Sequence, residues 1–167
     1  ELFNTSYAAL FVYEEKTNEL AFVKHSGKEI PFFKINVSAR PEPFAVYAMN
    51  GPGPILMERL SAYELETRTF FSRTPVDSYL VNSTISIPLV IRTEGVKPMQ
   101  VGVLMLAQRK VFDPFTLDEF QMAFYIGELL ATAISNCRIA NEIRVIAETD
   151  DLTKLMNQTI FSEKLGD

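Results

Sequence analysis

Few side chains in this sequence belong to the types that do chemistry, and their spacing sets how far each can go. His25 is the only histidine and Cys137 the only cysteine, so a Ser-His-Asp triad, a Cys-His pair and a His-based zinc site all lack partners. His25 could be an axial haem ligand, or an exposed turn histidine where a strand ends next to Gly27. Cys137 falls within a helical run, either as a redox sensor or attachment point or as a buried inert thiol, with only Arg138 basic beside it. Asp150 and Asp151 could contribute to a metal site, or cap a helix and complement its dipole. GPGP at 51–54 is no phosphate cradle, because its prolines remove the N–H groups such a loop needs. No catalytic set assembles, so the chain reads as no enzyme in itself, with no metal site and no cofactor that the sequence requires. A ligand site is open: Phe32, Phe33, Phe44, Tyr47, Phe70, Phe71 and Tyr79 lie scattered through an irregular middle. They can line a small-molecule pocket closed by loops or be core, and Phe32, Tyr47, Phe70, Phe71 and Tyr79 are the pocket candidates.

The elements that must position these residues follow from pattern. Residues 7–26 hold two runs rich in β-branched and aromatic side chains around a polar tip, Glu14 to Asn18, which predicts a β-hairpin. Prolines and glycines crowd residues 27–54, so structure there should be short and irregular, with a short helix over 44–49. Residues 61–71 start with a serine cap and good helix formers and predict a further short helix. LVNSTISIPLVIRT and QVGVLMLAQ flank the polar TEGVKP and predict a second hairpin. Within it Pro88 calls for an edge, a bulge or a strand end, and Gly102 for close approach of a backbone or helix.

Thr116 as N-cap, Glu119 three residues on, and Phe115 with Phe120 make a capping box and hydrophobic staple. No proline follows from Leu117 through Glu148, which predicts one unbroken helix of ~48 Å. Its first half is apolar almost all round, as for a helix buried on more than one side. Its second half thins to a stripe of Ile126, Leu129, Ala133, Asn136, Ala140, Ile143 and Ala147, with steps of three and four. That is the rhythm of a coiled-coil seam, with Asn136 as a polar position, and predicts a homodimer through this helix; the alternative is that the stripe caps the same core.

With 167 residues, 47% of them hydrophobic, the chain can bury the core of one domain with flanking segments. A net charge of −5 and the lack of a basic stripe exclude nucleic-acid binding. One cysteine permits no internal disulfide, which suits the cytoplasm. No apolar run approaches the ~18 residues of a membrane span, so no membrane contact is expected. The chain begins at Glu1 without methionine and stops at Asp167 inside a run with no turn or cap, as an excised piece of a longer protein would.

The order of hairpin, irregular crossover, hairpin and long helix resembles the GAF domain, a small-molecule sensory module. The match is carried by residues 83–136, through Pro88, Leu89, Gly102, Leu104, Leu106, Phe112, Asp118 and Asn136. It implies an α+β fold, an antiparallel sheet flanked by helices with a long C-terminal helix. The nucleotide-binding signature of some members is not found, and the lone cysteine lies outside the middle of the domain, where bilin-binding members carry theirs. Asp150, Leu152, Thr153, Leu155 and Asn157 resemble the start of GGDEF domains, which make cyclic di-GMP; Lys154 replaces a glycine of that pattern and Gln158 an arginine. The implied organisation is a GAF-like sensory domain over 1–138, a signalling helix over 139–149 and the truncated start of a GGDEF-like domain over 150–167. The implied function is a sensory and dimerisation module of a bacterial signalling protein, controlling a diguanylate cyclase output. The alternative is a ligand-free GAF-like module serving structure or protein interaction.

Overall fold

The computed structural model describes residues 3, 5–26, 34–38, 42–51, 53–57, 83–109 and 114–148. The chain divides into two compact units, residues 1–131 and 132–167. In the first unit, β1 (Thr5–Glu14) and β2 (Glu19–Ser26) form the expected hairpin. Asn18 closes its turn at φ 54°, a left-handed conformation that asparagine tolerates, and accepts a 3.0 Å hydrogen bond from the Tyr13 hydroxyl. The register slips between Leu10 and Phe11, leaving Val23 as the extra residue of β2.

A three-residue strand not foreseen in the proline-rich stretch, β3 (Lys34–Asn36), pairs with β2. Lys34 ties this edge to Glu14 at 2.7 Å and Glu19 at 3.5 Å. The hydrogen bond to Glu14 holds the exposed ammonium above its ordinary value. Helix α1 (Phe44–Asn50) runs one residue beyond the short helix expected, and the Met49 carbonyl near its end accepts from Gln100 Nε2 at 2.7 Å. A second short strand, β4 (Ile55–Met57), pairs with the start of β5 (Thr84–Ile91). The helix expected over 61–71 lies outside the described residues.

β5 and β6 (Met99–Arg109) form the second hairpin. Gly95 takes φ 74° at the third position of a turn closed by Val96 N–H to Thr93 O at 3.1 Å, the place a type II turn reserves for glycine. All pairings are antiparallel, and the sheet order is β3-β2-β1-β6-β5-β4. Among the described residues β4 reaches only Thr84 to Ser86, so Pro88 sits where β5 has become an edge, just before a bulge at Leu89/Val90. Gly102 meets the close approach expected of it: a Cβ there would collide with the Phe11 carbonyl oxygen at 2.1 Å.

Both faces of the central strands are covered, which explains their almost continuous apolar runs. On one face Phe11, Phe22, Ile35, Val103 and Met105 pack with Phe44, Val46 and Met49 of α1. On the other face Ile87 and Leu89 of β5 meet the long helix α2 (Leu117–Glu148), one continuous element of 32 residues as expected. The α2 entry is the foreseen capping box: Glu119 N–H donates to Thr116 Oγ1 at 3.2 Å, and Thr116 N–H to Glu119 Oε2 at 2.8 Å.

Burial on more than one side of the first half of α2 is not what the structure has. Ala123, Gly127 and Ala131, four residues apart, are buried, while Met122, Tyr125 and Leu129 are 40%, 67% and 72% exposed. The apolar side chains all round this segment therefore serve one sheet-facing row and one bare row.

Candidate functional site

Three buried hydroxyls stand at the entry to β5, on Ser83 just before it and on Thr84 and Ser86 within it. Ser83 Oγ donates to the Met57 carbonyl at 2.9 Å and accepts from Phe115 N–H at 3.1 Å, joining β4 to the entry of α2. Thr84 Oγ1 donates to the Leu106 carbonyl at 2.9 Å. Ser86 Oγ is buried with no hydrogen-bond partner among the described residues. A buried, unpaired hydroxyl costs about 1–3 kcal/mol, so this atom is where a polar group of a ligand would recover most.

Strand alternation places Ser86 on a definite side. Ile85, Ile87 and Leu89 share the face that meets α2, so Thr84, Ser86 and Pro88 point to the α1 face. Ser86 stands opposite Met105 on β6 and Ile55 on β4, and α1 lies over β5 and β6. A lone polar atom among apolar neighbours is a feature that small-molecule sites share. Sequence reasoning passed over Ser86, although a serine between Ile85 and Ile87 in an otherwise apolar strand was the available signal.

Of the pocket candidates, Tyr47 is half-buried on α1 among neighbours that are buried on either side. Phe32, Phe70, Phe71 and Tyr79 lie outside the described residues. His25 has its backbone inside β2 opposite Ala9, within the strand and not in a turn after it. Cys137 is exposed, which corrects the reading of a buried thiol: this half of α2 leaves its side chains open from Ile139 through Ile146. Among the described residues no group of three His, Cys, Asp or Glu could hold a metal ion, and no helix is long and apolar enough to cross a membrane.

Of the residues expected to form a seam on α2, Ile126 is half-buried, and Leu129, Ala133, Asn136, Ala140 and Ile143 are exposed. Ala147 lies in the helix, with its side chain outside the described set. The larger exposed side chains, however, include Tyr125, Ile139, Val145 and Ile146, which the stripe did not contain. Asp150, Leu152, Thr153, Leu155 and Asn157 lie outside the described residues.

No family model and no curated protein matches the chain. Solved structures do. The GAF-B domain of DevS from Mycobacterium smegmatis aligns at TM-score 0.57 and 18% identity, over 85% of this chain and 88% of that one. The GAF domain of an Acinetobacter phosphoenolpyruvate-protein phosphotransferase aligns at 0.61 and 13%, over 83% and 75%. A free methionine-R-sulfoxide reductase from Neisseria meningitidis, in complex with its substrate, aligns at 0.59 and 15%, over 83% and 72%. At such identities the likeness concerns the fold: an open antiparallel sheet with a long C-terminal helix, the α+β architecture of GAF domains.

Proposed function

We propose that this chain is a sensory, regulatory and dimerisation module of a bacterial signalling protein, in which a small molecule held on the α1 face biases how two copies meet along α2. The observation that carries this reading is the double character of α2. One continuous helix is pressed onto β5 at Gly127 and carries bare apolar side chains from Leu129 to Ile146. A change in the sheet that shifts such a helix is felt along its length, and a ligand acts by its differential affinity for the two arrangements.

The ligand side of the proposal rests on Ser86 and on the fold's use elsewhere, since the reductase holds a substrate and another structural neighbour is a far-red cyanobacteriochrome photoreceptor. The output side rests on residues 150–157, whose resemblance to the start of a GGDEF domain points to control of cyclic di-GMP synthesis in the cytoplasm, a reaction that needs two such domains to meet. The rival reading, a ligand-free structural or interaction module, draws on the direct seating of Phe44, Val46 and Met49 on the sheet.

Thermal unfolding against a panel of nucleotides, haem and metabolites separates the two, because a specific binder raises the melting temperature by mass action. A compound that raises Tm in the wild type and not in Ser86→Ala is the expected result. A panel without such a compound, on a chain that still dimerises, returns the ligand-free module.

A further inference from the structure

We draw no further inference here: the strongest candidate, the cluster of buried hydroxyls of Ser83, Thr84 and Ser86 at the entry to β5, belongs to the site already described.

Discussion

Ser86, on the α1 face of β5, and Gly127, packed against its other face, show how single atoms decide the outcome on each face of the sheet. The Ser86 hydroxyl is buried without a partner among the described residues, and removing it leaves no unsatisfied group behind. Ser86→Ala should therefore stabilise the ligand-free chain by about 1 kcal/mol in urea unfolding; a loss of stability would show that the hydroxyl is satisfied in the apo state. At Gly127 two effects oppose each other. Alanine in a helix interior gains about 1 kcal/mol over glycine, but here its Cβ would stand 2.6 Å from Ile87 Cγ2, a β-branched methyl with no free rotation away. Overpacking of that kind costs ~1–3 kcal/mol. Gly127→Ala should lower stability by about 1 kcal/mol net, measured by the same unfolding curves, and a stabilised variant would mean that the helix rides higher on β5.

The elements were legible where local chemistry alone determines them. Thr116 and Glu119 are spaced to satisfy each other's backbone N–H groups, and the structure pairs them so. Thr116→Ala should cost about 1 kcal/mol in urea unfolding, and an unchanged midpoint would mean that the helix start is held by Phe115 and Ser83 alone. The hairpins were equally plain, because runs rich in β-branched and aromatic residues flank polar tips, the second of which holds Gly95. β3 and β4 were not, since three-residue strands such as Lys34–Asn36 and Ile55–Met57 exist only through their pairing with β2 and β5, which no local signal encodes. The site divides the same way. Ser86 was hidden because its orphan state depends on what lies across from it on β4 and β6. On α2 the seven-residue rhythm was visible in the sequence, but which of its side chains are exposed depends on which side β5 occupies.

In the molecule as a whole, a GAF-like sheet has the buried Ser86 hydroxyl on one face and, packed on the other, a helix that also carries exposed apolar side chains. Replacing Leu129 and Ile143, 72% and 62% exposed, by glutamate should abolish pairing while leaving unfolding of the sheet within ~0.5 kcal/mol, as substitutions at exposed sites do. The most direct test is light scattering on the 167-residue chain, of 18.9 kDa, from micromolar to millimolar concentration. The account predicts twice that mass for the wild type and the single-chain mass for Leu129→Glu/Ile143→Glu; a wild type that holds the single-chain mass throughout would contradict it.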